Sequence, residues 1–119
     1  METRQHIIKN AFEQFRQYGF KSYTMDDLAK AIGVSKKTIY EKFKDKDELV
    51  LESVKYMLLD NQEKTEEAYK NSKNAIEQLI SILQLMENMI RGLNMVCYID
   101  MQKFYPKAFQ YLQEHKKSF

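Results

Sequence analysis

Apolar residues in the first part of the chain recur at the spacing of an α-helix. Residues three and four positions apart share one face of a helix, and such a face is usually buried. Gly19 comes directly after the series, where glycine commonly ends a helix. The pattern therefore predicts a first helix from about residue 3 to residue 18 with an aromatic core face. The residues of that face are Ile8, Ala11, Phe12, Phe15 and Tyr18.

Two short amphipathic segments follow, between Thr24 and Phe43. Thr24 is a favourable N-cap, and Asp27 three residues later is placed to complete a capping box. Gly33 can take the left-handed conformation that ends a helix, and Ser35 can cap the next one. Two helices joined by so short a turn form a helix-turn-helix, which lays its second helix in the major groove of DNA. The inward-facing residues are predicted to be Leu28, Ala29, Ile32, Ile39 and Phe43.

A fourth helix is predicted to begin after Asp45. Asp45 and Glu48 have the spacing of a capping box, with Lys46 as the first helical residue. Beyond Asp60 the sequence is almost wholly polar, so we expect the helix to continue as a solvated rod to about Tyr69. The apolar stripe of its first half is predicted to comprise Leu49, Val50, Val54, Met57 and Leu58.

The region after residue 73 is predicted to form further helices. Asn74 with Glu77 starts a fifth helix, to about Leu93, and its apolar circumference is typical of a helix in the centre of a bundle. A shorter apolar stretch spans residues 95–105, and Pro106 is a favoured first residue for a last helix that is still running at the end of the chain. Because no stretch alternates polar and apolar residues with a period of two, the predicted fold class is all-α.

Composition argues against several classes of function. The single cysteine, Cys97, excludes an internal disulfide, fits a reducing cytosol and is expected to be a small buried hydrophobic residue. The polar N-terminus lacks a signal-peptide core, and no apolar run approaches the ~20 residues of a membrane span. His6 and His115 are isolated, and no metal-ligand spacing or glycine-rich phosphate loop occurs. We therefore expect a cytoplasmic protein without catalytic residues, metal or cofactor.

Charge is distributed unevenly along the chain. The net charge is only +2, but residues 1–50 hold ten Lys and Arg against eight Asp and Glu, whereas residues 51–119 hold nine of each. Five lysines lie in residues 35–46, against Glu41 and Asp45. Such a cluster is usually only a solvated face, but on a helix-turn-helix it indicates a footprint for DNA phosphates.

The N-terminal sequence resembles the DNA-binding domain of tetracycline-repressor (TetR) family regulators. The resemblance covers roughly residues 5–52 and rests on FRQYGF at residues 15–20 and GVSKKTIYEKFKDK at residues 33–46. It implies a tri-helical helix-turn-helix domain over residues 1–45. Residues 46–119 would then form a long connecting helix and part of a helical domain for effector binding and dimerisation. Members of the family have further helices, so we expect this second domain to be incomplete and to expose apolar surface on the last three helices.

The resemblance and the helical wheel together predict a surface that contacts DNA. With Ile39 and Phe43 directed inward, Lys37 faces outward and can donate to guanine. Tyr40 matches a tyrosine that commonly contacts the phosphate backbone in the family. Lys46 and the amides at the start of the fourth helix suit a phosphate, because a helix N-terminus attracts anions. The predicted DNA-binding residues are Thr24, Met25, Ser35, Lys36, Lys37, Thr38, Tyr40, Lys42, Lys44 and Lys46.

Glu41 departs from the family pattern, which often has an aromatic or basic residue there. A carboxylate facing phosphates is repulsive, so Glu41 either accepts from a cytosine amino group or pairs with Lys37 four residues earlier. We expect the pair. Lys37 itself stands where many members have a small residue, often glycine. Lys42 and Lys44 are equally well explained as plain surface charge.

By the same resemblance, a small hydrophobic effector is expected to bind among the helices after residue 50 and to move the fourth helix. The regulator, expected to be a repressor, would act as a homodimer on palindromic double-stranded operator DNA. Movement of the fourth helix would change the separation of two recognition helices, which must match major grooves ~34 Å apart. The predicted effector-binding residues are Met57, Leu83, Met86, Met89, Ile90, Tyr98 and Met101.

A helical protein-interaction module without specific DNA binding is the alternative hypothesis. Met-rich apolar helices also fill ordinary cores, so they do not by themselves indicate an effector. Salt-dependent binding to duplex DNA distinguishes the two hypotheses.

Overall fold

The computed structural model describes residues 3–92 and 95–115, without the side chains of residues 88–92. Over these residues the backbone forms seven helices and no strand, which confirms the predicted all-α fold. The predicted helix end at Leu93 and the continuation of the last helix to Phe119 lie outside the described residues. The helices are α1 (Arg4–Tyr18), α2 (Met25–Ile32), α3 (Lys36–Lys42), α4 (Lys46–Asn71), α5 (Ala75–Gly92), α6 (Met95–Phe104) and α7 (Pro106–His115).

The caps of the helix-turn-helix form as predicted. The Thr24 hydroxyl accepts from the Asp27 N–H at 3.0 Å, and the Asp27 carboxylate accepts from the Thr24 N–H at 3.0 Å. This reciprocal box starts α2, and Gly33 ends it in the left-handed conformation, with φ 81° and ψ 30°. Ser35 then accepts from the Thr38 N–H at 3.1 Å to start α3. Each helix end is thus specified by its own local residues.

The capping box predicted at α4 is only half correct. Asp45 accepts from the Glu48 N–H at 2.9 Å, but the Glu48 carboxylate accepts from the Lys44 N–H at 3.0 Å, one residue before the cap. α5 begins in the same way: Asn74 accepts from the Glu77 N–H, and the Glu77 carboxylate accepts from the amide before the cap at 2.7 Å. The extra methylene of glutamate, compared with the aspartate of α2, lets the carboxylate reach the earlier amide.

The first three helices pack around an apolar core that the start of α4 closes. Ile39 and Phe43 are almost completely buried, and so are four of the five residues of the predicted α1 face. Tyr18 departs from that prediction: it is 53% exposed and stacks on Tyr23 with ring centroids 5.5 Å apart. The reason is its position as the last residue of α1, one turn beyond Phe15, where the helix leaves the core.

α4 connects the tri-helical unit to the later helices. Its predicted apolar stripe is buried, and the helix packs against α1, α5 and α7. Beyond Asp60 its side chains are half-buried or exposed, so the predicted solvated rod is present and ends at Asn71. Cys97, Met101 and Leu112 of α6 and α7 belong to the same apolar core as α1. One core therefore runs from the helix-turn-helix into the second half of the chain.

The prediction that α5 is central in a bundle is wrong. α5 packs against α4, but none of its described side chains is buried. The apolar pattern predicts burial only if other helices cover it, and the described helices do not do so. Exposed apolar surface, which was expected on the last three helices, is present on α5 and α6, whereas Ala108 and Leu112 of α7 are buried. The α5 stripe consists of Ile76, Leu79, Ile80, Leu83 and Met86, each 50–71% exposed.

No helix in the described ranges is both long enough and apolar enough to cross a membrane.

Candidate nucleic-acid interface

The candidate recognition surface is the outer side of α3. Ile39 and Phe43 hold this helix in the core, so residues on the opposite side of the wheel turn outward. Tyr40 is 42% exposed, and the side chains of Lys37 and Glu41 are exposed as well. α3 therefore presents a basic and aromatic side to solvent while packing fixes its other side.

Four of the predicted lysines lie at the two ends of this surface. Lys36 and Lys37 are in the first turn of α3, Lys42 is its last residue, and Lys44 follows shortly after. All four side chains are exposed. With Glu41 as the acidic residue of α3, the helix keeps an excess of positive charge, which attracts a phosphate backbone.

The start of each motif helix is set by a hydroxyl residue. Ser35 Oγ lies 2.9 Å from Thr38 Oγ1 in addition to capping α3, and Thr24 caps α2. These contacts fix the turn of α3 that presents Lys36. Met25 is only 6% exposed, so its side chain is part of the core, whereas Thr24 is exposed.

An ion pair links the two helices of the motif. Lys36 Nζ lies 3.4 Å from Asp26 Oδ1, and both side chains are largely exposed. Asp26 is in the first turn of α2, so it brings a negative charge to the basic start of α3. A phosphate that binds Lys36 has to compete with this carboxylate. Exposed pairs contribute less than ~1 kcal/mol, so this carboxylate would be a weak competitor.

The expected ion pair between Lys37 and Glu41 is not among the salt bridges of the described residues, so that prediction is wrong. Both side chains are exposed, where water competes for each charge. A lysine four residues before a glutamate is also the weaker of the two orientations on a helix. Glu41 therefore stays on the recognition surface as an exposed carboxylate.

Lys46 points away from the outer side of α3. It is half-buried, its Nζ donates to the Lys21 carbonyl oxygen at 3.5 Å, and the ring centroids of Phe15 and Tyr105 lie 5.9 and 5.7 Å from Nζ. Burial, and secondly the charge of Lys21, lower the pKa of Lys46. The ammonium thus faces the turn between α1 and α2, and its contact with a phosphate stays a prediction.

Carboxylates surround the N-terminus of α4. Asp45 caps the helix, and Asp47 and Glu48 lie in its first turn. Arg4 partly neutralises them, with Nη2 3.4 Å from Glu48 Oε1 and the guanidinium 4.8 Å from the ring centroid of Phe43. This concentration of negative charge disfavours the phosphate predicted for the first amides of α4.

The effector-binding residues predicted in α4 and α6 are mostly part of the core. Met57 and Met101 are buried, which ordinary core packing explains. Tyr98 is half-buried, its ring packs edge-on against Phe109, and its hydroxyl accepts from Gln113 Nε2 at 3.2 Å.

Leu83 and Met86, which were predicted in α5, do not line a pocket with them. Leu83 and Met86 are exposed, and the side chains of Met89 and Ile90 lie outside the described part of the structure. An open cleft of about 230 Å³ lies between the end of α4 and the start of α5, and none of the predicted residues lines it. Its lining residues are Ala68, Asn71, Ser72, Glu77, Ile80 and Ser81.

Sequence reasoning missed the polar contacts that α6 makes with the turn before α2. Asp100 Oδ2 accepts from the Lys21 N–H at 3.0 Å. The only signal in the sequence is that Asp100 is the sole acidic residue in the apolar stretch 95–105. A carboxylate in such a stretch indicates a polar partner, but the sequence does not say which one.

Known regulatory proteins resemble this chain over part or most of its length. The pattern of bacterial regulatory proteins of the tetR family matches residues 7–53. The uncharacterized HTH-type transcriptional regulator YvaF of Bacillus subtilis is 32% identical over 104 residues, which are 87% of this chain and 54% of that protein. The HTH-type transcriptional regulator AcrR of Shigella flexneri is 47% identical over 51 residues, 43% of this chain and 24% of that protein. The chain thus spans about half the length of YvaF.

The fold of the whole chain also occurs in a solved regulator. The structure of the ketosteroid transcriptional regulator KstR2 of Mycobacterium tuberculosis matches 99% of this chain and 63% of that chain, with a TM-score of 0.68 and 21% identity. At that identity the likeness concerns the fold alone. The family pattern, by contrast, covers most of α1, all of α2 and α3 and the start of α4, which are the elements that build the α3 surface. Residues 7–53 therefore match the tetR family of bacterial regulatory proteins.

Proposed function

We propose that the chain acts as a sequence-specific DNA-binding transcriptional regulator and that α3 reads operator DNA in the major groove. The observation that carries the proposal is the exposed basic and aromatic side of α3, held on a tri-helical core of the tetR family. The proposed DNA-binding domain is residues 1–45, and the proposed regulatory domain is residues 46–119.

Roles for individual residues follow from their position on α3. Lys36 and Lys37 lie in its first turn, the part of a recognition helix nearest to the bases, where an ammonium can donate to guanine O6 and N7. Thr38 offers a methyl group to thymine or a hydroxyl to a phosphate. Tyr40 and Lys42 are assigned to the phosphate backbone, which sets the register of the helix on the duplex.

The proposed regulator is a cytoplasmic repressor that acts as a homodimer on a palindromic operator. A two-fold axis would place two α3 helices in successive major grooves ~34 Å apart. A small hydrophobic effector bound among the helices of the regulatory domain would move α4 and change that separation. The first turns of α4 are buried against α1, so a displacement of α4 is transmitted to the tri-helical unit.

Selection of bound sequences from random duplex DNA tests this function. We expect a palindromic consensus with half-sites one helical turn apart. Affinity for the selected duplex should fall steeply with salt, because lysines that bind phosphates displace counterions. A protein-interaction module would instead select no sequence and bind no duplex at low salt.

Paired lysine variants test the assignment of α3. Lys36→Ala with Lys37→Ala is expected to weaken binding by about tenfold or more and to make the salt dependence shallower. Lys64→Ala with Lys70→Ala removes the same charge from the solvated half of α4 and serves as the control. Equal affinity of the two double variants for the selected duplex would refute the role of α3.

A further inference from the structure

The turn between α1 and α2 is held from two sides by residues of the later helices. The Lys21 N–H donates to Asp100 Oδ2 of α6 at 3.0 Å. The carbonyl oxygen of the same residue accepts from Lys46 Nζ of α4 at 3.5 Å. We call these two contacts the Lys21 clamp. Both polar backbone groups of one turn residue are therefore bound by charged side chains from outside the tri-helical unit.

α6 approaches this turn along one face. Cys97 and Asp100 are three residues apart and so lie on the same side of the helix. Cys97 Sγ donates to the Phe15 carbonyl oxygen at 3.0 Å, and the Gly19 N–H donates to the same oxygen at 2.7 Å. α6 is thus hydrogen-bonded both to the end of α1 and to the turn that follows it.

Gly19 makes room for this approach. A Cβ at this position would lie 3.0 Å from Asp100 Oδ2 and 3.2 Å from Val96 Cγ1. Real Cβ atoms rarely make contacts this short, so a side chain at position 19 would require Asp100 or Val96 to shift. Lys21 also covers α6, with Nζ 4.6 Å from the ring centroid of Phe104. The close fit leaves little freedom for the turn to slide along α6.

The contact of Asp100 is the stronger half of the clamp, because the Lys46 contact, at 3.5 Å, is at the outer limit of hydrogen-bond distances. The carboxylate and the ammonium are charged, and hydrogen bonds to charged groups are about twice as strong as those between neutral groups. Asp100 and Lys46 are both half-buried residues, although their contacts with Lys21 lie at the surface of the molecule.

The clamp acts close to the start of the helix-turn-helix. Lys21 precedes the Thr24 cap by three residues, and α2 packs against α3. A displacement of Lys21 therefore moves the first turn of α2, and the short turn at Gly33 passes that movement to α3. The angle at which α3 is presented depends in this way on where α6 holds Lys21.

We propose that Asp100 and Lys46 are positioning residues: through the Lys21 clamp they fix the orientation of the helix-turn-helix relative to α4 and α6. This assignment rests on the proposed function, and it gives Lys46 a task other than binding a phosphate. α6 becomes a second route, besides α4, by which a change in the regulatory domain reaches α3.

Asp100→Ala tests the assignment in the full chain. It removes the acceptor of the Lys21 N–H, whereas Asp100→Asn keeps an acceptor oxygen and nearly the same volume. Asp60→Ala makes the same change at a partly exposed residue of α4 and has the same effect on net charge. Far-UV circular dichroism checks that all three variants are folded.

Two readouts separate positioning from general destabilisation. Amide exchange of Lys21, followed by NMR, should become about tenfold faster in Asp100→Ala than in Asp60→Ala. The ratio of affinities for the selected duplex and an unrelated duplex should fall about tenfold, with the salt slope unchanged, because the lysines of α3 remain intact. A loss of folded protein would lower both affinities equally and leave the ratio unchanged. Asp100→Asn should restore both readouts to within about threefold of wild type.

The outcomes distinguish this assignment from the function on which it rests. Wild-type chain that prefers no duplex sequence would overturn the proposed function and the assignment together. If wild type discriminates and Asp100→Ala behaves like Asp60→Ala in both readouts, the assignment alone is overturned. If folded Asp100→Asn shows the same changes in amide exchange and affinity ratio as Asp100→Ala, Asp100 does not act by accepting a hydrogen bond from Lys21. That result would refute the clamp.

Discussion

Asp26 and Lys36 set how strongly the start of α3 attracts phosphate. Lys36 is the first residue of α3 and is paired with a carboxylate that belongs to α2. Because the pair is exposed, it contributes little to the stability of the folded chain. The ion pair is expected to affect DNA binding more than stability, because the Asp26 carboxylate and a DNA phosphate would compete for the Lys36 ammonium.

We expect Asp26→Asn to strengthen binding to duplex DNA by up to roughly fivefold, since it removes this competitor. The gain should be similar for the operator and for unrelated duplexes, because phosphate contacts carry no sequence information. Fluorescence anisotropy at low salt measures both affinities. Asp60→Asn is the control for net charge, and a variant at position 26 that binds no more tightly than this control contradicts the prediction.

Cys97 is predicted to be chemically quiet in the folded chain. Burial, and secondly the charge of Asp100, raise the pKa of its thiol to about 11. The thiolate is the reactive form, so the folded protein should react with iodoacetamide about 100-fold more slowly than the unfolded chain. Mass spectrometry of the labelled protein with and without urea, at mildly alkaline pH, gives the two rates. Equal rates would show that α6 does not shield the sulfur.

The residues that sequence reasoning places correctly are those whose surroundings are local. Gly33 and Ile39 follow from rules that span a few positions, and both are found as expected. The predicted pair between Lys37 and Glu41 also followed a local rule, the i,i+4 spacing. It does not form, because both charges are exposed and water solvates each of them. The contact of Asp100 joins residues 79 positions apart, and no local pattern encodes it.

At the scale of helices, the capping box of α2 links the stability of the motif to a single hydroxyl. Thr24→Ala is expected to lower the free energy of unfolding by about 1 kcal/mol, because the N–H of Asp27 loses its acceptor. Urea unfolding followed by circular dichroism measures the change. Thr65→Ala is the matched control, since its hydroxyl only donates to a carbonyl within α4. A loss at position 24 no larger than at position 65 would contradict the prediction.

The same box predicts a dependence on pH. Hydrogen bonds from the backbone and the side chain of Thr24 lower the pKa of Asp27 below its ordinary value of 3.8. A depressed pKa in the folded state means that the carboxylate stabilises the fold above the unfolded pKa, and that this contribution is lost as the pH falls through the folded pKa. The stability difference between wild type and Asp27→Asn should therefore begin to shrink below about pH 5 and continue to shrink down to about pH 3. A difference that is constant over this range would exclude the charge of Asp27 as its cause.

The helices also show where pattern alone is insufficient. Both α4 and α5 have apolar positions at helical spacing, yet the stripe of α4 is buried and the α5 stripe is not. Periodicity reports which face of a helix avoids water. It does not report whether another element is available to cover that face.

For the whole molecule, the exposed α5 stripe predicts association between chains. Five large apolar side chains on one face exceed what scattered surface residues explain. Sedimentation velocity over a concentration series should show reversible association of the wild-type chain. Leu79→Lys with Leu83→Lys should shift it to monomer, while Leu59→Lys, at an exposed leucine of α4 outside the stripe, should not. Wild type that stays monomeric at every concentration would contradict the prediction.

The two glycines with positive φ give the two ends of the motif different tolerance to substitution. Gly33 is left-handed and a Cβ there would extend into open space, so asparagine, which adopts this conformation readily, can replace it. Gly19, with φ 90° and ψ 155°, occupies a region open almost only to glycine, and α6 fills the space beside it. In a library randomised at both positions and selected for operator binding, diversity should survive at position 33 and collapse to one residue at position 19. Position 19, where the end of α1 contacts α6, should therefore tolerate fewer substitutions than position 33 in the turn between α2 and α3.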